Sequence, residues 1–128
     1  HTVNNVKFIN DSKSTNLESV NKASFKVRDS LLVMHGLSKG IDSNKLLISK
    51  EVKTILIPKN SEFNVSKYKD IVVEYENLKE MESFIISNYK KYRTVLFSCG
   101  GSSFSDFKNY IARGKYFKEM VQAKIKWN

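Results

Sequence analysis

Short apolar runs alternate with amphipathic stretches along this chain. Val6 to Asn10 reads as a strand, and Asp11 to Asn16 is a run of turn and N-cap residue types leading into a helix through Leu17, Val20 and Ser24. The unit repeats. Leu31 to Met34 is a buried-type strand, His35 to Asp42 a polar, glycine-containing loop, and Ser43 to Ser49 a short helix. Lys53 to Ile57 is a strand stopped by Pro58, and Ile71 to Tyr75 is another after an irregular segment. The clearest helix runs from Asn77 to about Tyr92, where Leu78, Met81, Ile85, Tyr89 and Tyr92 recur at three- and four-residue spacing and Asn77 can cap. Thr94 to Ser98 is the last strand, and Cys99 to Ser102 is a small-residue loop. Ser103 to Gln122 is a helical region interrupted near Gly114, with Phe104, Phe107 and Ile111 as its inward stripe.

Strands alternating with helices predict an α/β domain: a mostly parallel, twisted sheet with helices on both faces and ligands at the carboxyl ends of the strands. The 128 residues, 41% hydrophobic and 12% aromatic, suit one packed domain and exclude a disordered tail. No apolar run approaches the roughly 20 residues of a membrane-spanning helix, and the start at His1 has no signal-peptide pattern. Cys99 is the only cysteine, so no internal disulfide can form, and His1 and His35 cannot complete a zinc site with it alone. A cytoplasmic location is therefore expected. The formal charge of +9 suggests a polyanionic partner, but the basic residues are nearly all scattered lysines, with Arg28, Arg93 and Arg113 the only arginines. Nucleic-acid readers cluster arginine and interleave aromatics, so the lysines read as a solvated face and no nucleic-acid partner is expected.

The loops after the strands ending near Asn10, Met34 and Ser98 should emerge at one edge of such a sheet. The first, Asp11 to Asn16, places an acid, a base and several hydroxyl or amide groups at a helix start, which suits an anion or merely a helix cap. The second holds Lys39 between small residues, where its ammonium could reach a carboxylate or phosphate or simply be solvated. It is not a Walker A loop, and the GxGxxG fingerprint is absent. His35 reads as a local hydrogen-bonding residue, because no carboxylate near it in sequence orients it. The third loop, Ser98 to Ser103, presents hydroxyls and backbone N–H groups at a helix start and would suit a carboxylate. No spacing marks His35 as a triad partner of these serines, and Cys99 reads as a buried, inert thiol.

Three segments in order carry a family likeness. Phe8 to Asn16 (FINDSKSTN), Leu31 to Asp42 (LLVMHGLSKGID) and Val95 to Gly114 (VLFSCGGSSFSDFKNYIARG) resemble the C-terminal domain of the D-glutamate-adding Mur ligases across nearly the whole chain. The resemblance implies a Rossmann-like domain, residues 1–128, that is the last of three in a peptidoglycan-building ligase. In such an enzyme ATP phosphorylates the L-alanine carboxylate of UDP-N-acetylmuramoyl-L-alanine, and D-glutamate attacks the acyl phosphate. ATP and Mg2+ are expected to be bound mainly by a central domain. The N-terminal and central domains are the expected partners, and the isolated fragment is expected to be inactive.

Carried over by position, Thr15, Lys39, Ser103 and Tyr110 are expected to hold the D-glutamate carboxylates, Tyr110 by its backbone. Asp11 and Lys13 are expected to face the nucleotide, with Asn16 supporting the turn; no catalytic residue and no metal ligand is expected within the chain. The sequence departs from the family pattern at His35, where paired glycines are usual, and at Cys99, Gly100 and Gly101, which replace proline, alanine and cysteine. Ser105 stands where an acid usually follows the aromatic. The competing reading is a free-standing α/β module that binds a nucleotide or amino acid without catalysis.

Overall fold

The computed structural model describes residues 1–36, 46–59, 61–103 and 106–125. Six strands form one sheet in the order β1-β2-β6-β3-β4-β5: β1 is Thr2–Val3, β2 Val6–Asp11, β3 Ser30–His35, β4 Val52–Pro58, β5 Val72–Tyr75 and β6 Thr94–Gly100. Only β1 runs antiparallel to its neighbour; the other pairings are parallel. The α-helices among the described residues are α1 (Leu17–Ser24), α2 (Leu78–Asn88) and α3 (Tyr110–Lys124).

The central strands β3 and β6 are buried along their whole length, as parallel strands covered on both faces must be. Their side chains alternate between two cores. Leu31, Val33, Val95 and Phe97 pack with Met81 and Ile85 of α2 and with Phe117, Met120 and Val121 of α3. Leu32, Met34 and Leu96 pack on the opposite face with Leu17 and Val20 of α1 and with Leu46, Ile48 and Phe63 from connecting segments. The predicted architecture, a mostly parallel sheet with helices on both faces, is thus observed.

Each helix begins at an asparagine whose side chain accepts an otherwise unpaired backbone N–H. Asn16 accepts from Ser19, Asn77 from Glu80 and Asn109 from Ala112, at 2.9, 2.9 and 2.8 Å. The Asn77 cap matches the sequence expectation, although α2 gives way to a 3-10 turn at Tyr89–Lys91 before Tyr92.

Several expectations are corrected. The two-residue strand β1 was not foreseen; it is short because only Thr2 and Val3 reach the edge of β2. The helix predicted over Ser43 to Ser49 is absent from Leu46–Ser49, where the chain is irregular and buries Leu46 and Ile48; 43–45 lie outside the described residues. The last helix begins at the Asn109 cap and not at Ser103, whose carbonyl accepts from the Phe107 N–H at 2.8 Å.

Ile111, expected inward, is 70% exposed; the inward stripe is Arg113, Gly114, Phe117, Met120 and Val121. Phe107 is half-buried against His35, and Phe104 lies outside the described residues. Gly114 does not interrupt α3. A Cβ there would sit 3.3 Å from Asn10 Nδ2 and from Ser12 Cβ, so glycine permits the close approach of α3 to the end of β2. Asn10 Nδ2 then donates to the Gly114 carbonyl at 2.9 Å.

Phe117 is fully buried, with its ring stacked on Phe97 at a 4.4 Å centroid distance. Phe117→Ala is expected to lower unfolding stability by about 4 kcal/mol through cavity formation, whereas Ile111→Ala should change it by less than about 0.5 kcal/mol. Urea unfolding of both variants checks the assigned helix face; comparable losses would contradict it.

Candidate functional site

The carboxyl ends of β2, β3 and β6 deliver three loops to one edge of the sheet, and their backbones touch. The Gly100 N–H donates to the Ser14 carbonyl at 2.9 Å, joining the third loop to the first. Gly36 has φ +98°, and a Cβ on it would lie 1.9 Å from the Ser102 carbonyl oxygen, so the second and third loops meet where no side chain fits.

Arg113, from the inward face of α3, lies beneath this junction and is fully buried. Its Nη1 donates to the carbonyls of Gly101 at 2.9 Å and His35 at 3.3 Å, and its Nη2 to those of Ser12 at 2.9 Å and Ser14 at 3.4 Å. One guanidinium therefore binds carbonyls of all three loops. No carboxylate is among these hydrogen-bond partners, and Nε has no hydrogen-bond partner among the described residues. Burial lowers the Arg113 pKa.

His35, 1% exposed, stands between Arg113 and Asp106. Its Nδ1 lies 3.3 Å from Arg113 Nη1, and its Nε2 lies 2.8 Å from Asp106 Oδ2. A guanidinium only donates, so Nδ1 must accept and Nε2 must carry the proton given to Asp106. The geometry thus selects the neutral Nε2–H tautomer. Burial lowers the His35 pKa most strongly, Asp106 opposes that by accepting its hydrogen bond, and the Arg113 charge lowers it further. The expectation that no carboxylate orients His35 held only for its sequence neighbourhood; Asp106 comes from 71 positions away.

In the first loop, Asp11 Oδ2 accepts from the hydroxyls of Ser14 at 2.6 Å and Ser98 at 2.8 Å. This acid, expected to face a nucleotide, also holds its own loop to β6. Ser12 is buried and hydrogen-bonds the side chain of Asn10. Lys13 is exposed, Thr15 half-buried, and Asn16 caps α1. In the third loop Ser103 is buried, and its carbonyl accepts from the N–H groups of Asp106 at 3.3 Å and Phe107 at 2.8 Å. Its amide is therefore not at the start of α3 as expected, and the start of α3 at Tyr110 lies seven positions further on. Burial pushes the Cys99 thiol up to about 12, which suits the inert role expected of it.

Two adjoining grooves open beside the first loop. One, of about 750 Å³, is lined in part by Asp11, Lys13, Ser14, Lys22, Lys26 and Tyr110. The other, of about 490 Å³, is lined in part by Lys13, Tyr110, Lys115 and Lys118. Asp11, Lys13 and Tyr110 therefore come together, while Thr15 and Ser103 do not line these grooves. Lys39 lies outside the described residues.

Arg113 and Asp106 were missed in sequence. Arg113 carried a signal: it is four and eight positions before Phe117 and Val121, which places a charge on an apolar helix face. Asp106 carried none, because its partner is supplied only by the fold.

These features define a Rossmann-like α/β domain with a polar site built from the loops at the carboxyl ends of its strands. No family model matches the chain. It is 33% identical over 124 residues to the UDP-N-acetylmuramoylalanine--D-glutamate ligase of Thermosipho melanesiensis, an alignment covering 93% of this chain and 29% of that protein. The ligases of the same name from Prochlorococcus marinus and Cytophaga hutchinsonii are 32% and 35% identical over 98% and 91% of this chain, and 29% and 27% of their own lengths. The chain is homologous, over nearly its whole length, to a domain-sized portion of the D-glutamate-adding Mur ligases. It spans less than a third of the length of these relatives.

Arg113→Met keeps the bulk of the side chain but leaves the loop carbonyls without their donor. It is expected to lower stability by about 3 kcal/mol or more, read by urea unfolding, and an unaffected variant would show that the clamp is dispensable. A second expectation concerns pH. Because the His35 pKa in the fold is below its ordinary value of 6.5, its contribution to stability is fully present above 6.5 and is lost as pH falls through the lower value. Unfolding titrations between pH 7.5 and 5 should show this slope in the native chain and its loss in His35→Gln.

Proposed function

We propose that this chain is the C-terminal, amino-acid-binding domain of a three-domain, ATP-dependent ligase that joins D-glutamate to UDP-N-acetylmuramoyl-L-alanine. The similarity to D-glutamate-adding ligases supports the reaction. The observation that carries the site is the Arg113 junction, where a buried cation bound to carbonyls lies under the loops that contain Thr15 and Ser103. In a low-dielectric interior such a charge favours an anion at the loop surface.

In this reading Thr15, Lys39, Ser103 and the backbone at Tyr110 hold the D-glutamate carboxylates. Lys39 supplies a mobile positive charge, the hydroxyls supply direction, and Arg113 supplies a fixed field from below. ATP phosphorylates the L-alanine carboxylate, and the D-glutamate amine attacks the acyl phosphate to give a tetrahedral intermediate that expels phosphate. The contribution of this domain is to hold the amine in line. Asp11 and Lys13 line the groove that faces the nucleotide, and the lysines along it complement phosphate charge.

Magnesium is a poor fit to this domain: among the described residues no three His, Cys, Asp or Glu side chains are grouped to hold a metal ion. Asp11 is already shared between two hydroxyls. In this reading the ion that neutralises the ATP phosphates is held mainly by the central domain. Among the described residues no helix is long and apolar enough to cross a membrane, and the UDP-linked substrate places the reaction in the cytoplasm.

The test is phosphate release by the full-length protein with UDP-N-acetylmuramoyl-L-alanine, ATP and magnesium, across a panel of D- and L-amino acids. D-glutamate alone should drive turnover, and Lys39→Ala should lower kcat/KM for it about 100-fold or more, in line with the loss of a charge-assisted contact. A different preferred amino acid, or an unaffected variant, would overturn the assignment of this site. A native protein no longer than this chain would favour the free-standing binding module instead.

A further inference from the structure

His35 Nε2 and Asp106 form a contact separate from the Arg113 hydrogen bonds and from the residues assigned to the ligand. Asp106 belongs to the turn that follows Ser103, and its own N–H donates to the Ser103 carbonyl at 3.3 Å. The next residue, Phe107, donates to the same carbonyl and lays its ring against His35 at a 5.3 Å centroid distance. Asp106 is thus joined to Ser103 by its own backbone hydrogen bond and by that of its neighbour Phe107. On the other side His35 is fixed: its carbonyl and Nδ1 both face Arg113, and it is the last residue of β3. Its ring is also edge-on to Phe117, at 6.4 Å.

We propose that His35 and Asp106 act as a positioning pair, holding the Ser103 turn against the end of β3 in the orientation that amino-acid binding requires. The inference rests on the D-glutamate reading above. It adds the two side chains that set where Ser103 lies, neither of which needs to touch the substrate.

The bond works in one protonation state. With His35 neutral, Nε2–H donates to Asp106 while Nδ1 accepts from Arg113, so both ring nitrogens are satisfied. A second proton on Nδ1 would point at the Arg113 guanidinium 3.3 Å away and set two buried cations against each other. The groups facing His35 are Asp106 from the turn and Arg113 from α3. Tyr75 of β5 and Cys99 of β6 lie in the same core cluster and stay neutral, both held up by burial. Asp106 is the group that raises the His35 pKa, so removing its charge should move the acid limb of binding to lower pH.

The experiment uses the full-length protein with UDP-N-acetylmuramoyl-L-alanine, ATP and magnesium, and reads KM for D-glutamate from pH 5 to 8. Asp106→Ala should raise that KM about tenfold, with kcat and the KM for ATP changed less than about twofold. Asp106→Asn, which keeps an acceptor for Nε2–H, should restore KM near pH 7.5 and shift its acid limb to lower pH. His35→Gln should flatten that limb. The isosteric Asn and Gln variants keep the test decisive if the alanine variant does not fold. A D-glutamate KM unchanged in Asp106→Ala, or an acid limb unmoved in Asp106→Asn, overturns this inference and leaves the D-glutamate reading standing. A wild-type protein that does not respond to D-glutamate overturns both.

Discussion

A single buried guanidinium decides how the ends of three strands are arranged. Arg113 lies under the site with no carboxylate among its hydrogen-bond partners in the described residues, an arrangement that desolvation alone would make unfavourable by several kcal/mol. It is tolerated because four carbonyls, from His35, Gly101, Ser12 and Ser14, turn toward it. The Ser14 carbonyl also accepts from the Gly100 N–H, whereas those of Ser12, Gly101 and His35 take a donor from the guanidinium, and a buried carbonyl left without a donor costs stability. The same bonds that make the charge bearable hold the loops in register. The two glycines nearby follow from this convergence: Gly36 lets the second loop meet Ser102, and Gly114 lets α3 approach near enough to β2 for Arg113 to reach across.

That arrangement has an electrostatic consequence for the chemistry. Carbonyl dipoles stabilise the guanidinium without cancelling its net charge, so its field extends to the loop surface where Thr15 and Lys13 lie. Asp11 offsets part of this, but its carboxylate is held inside the first loop by Ser14 and Ser98. His35 must then be neutral, because it accepts from the same guanidinium. Under the proposed function, fixed groups of this kind would meet the carboxylates of the ligand with little reorganisation.

Much of the fold was legible because it rests on local patterns. The apolar runs at Leu31 to Met34 and Thr94 to Ser98 are strands covered on both faces, and Asn77 caps the helix its periodicity announces. The errors fell where a local pattern had a tertiary competitor. Leu46 and Ile48 have helical company in sequence, but bury their side chains from an irregular segment in the core that α1 and β4 share. Ile111 and Phe107 suggested an inward stripe starting at Ser103; the Asn109 cap starts the helix later and rotates the inward face to Arg113 and Phe117. The loops of the candidate site could be placed at one edge from strand order alone. What joins them could not, because Arg113 reaches Ser12 across 101 positions and His35 across 78.

The departures from the family pattern become intelligible as a set once the packing is known. An imidazole at His35 can be accommodated beside Gly36 only if its ring is covered and both nitrogens are satisfied; Phe107 and Phe117 cover it, and Asp106 and Arg113 satisfy it. Gly100 stands where the resemblance implies alanine. It has φ +76°, and a Cβ there would lie 2.9 Å from Met34 Cε and 3.0 Å from Val20 Cγ2. With these neighbours, alanine would strain the backbone and crowd the core, whereas glycine lets the third loop settle onto α1 and donate its N–H to the Ser14 carbonyl. His35 at the end of β3 and Gly100 at the end of β6 are paired in the sheet register, so the two departures occupy adjacent positions on neighbouring strands. A change in the size of one side chain at such a junction is felt by the loop beside it, and the sequence of this chain meets that constraint by adding bulk to one strand end and removing it from the next.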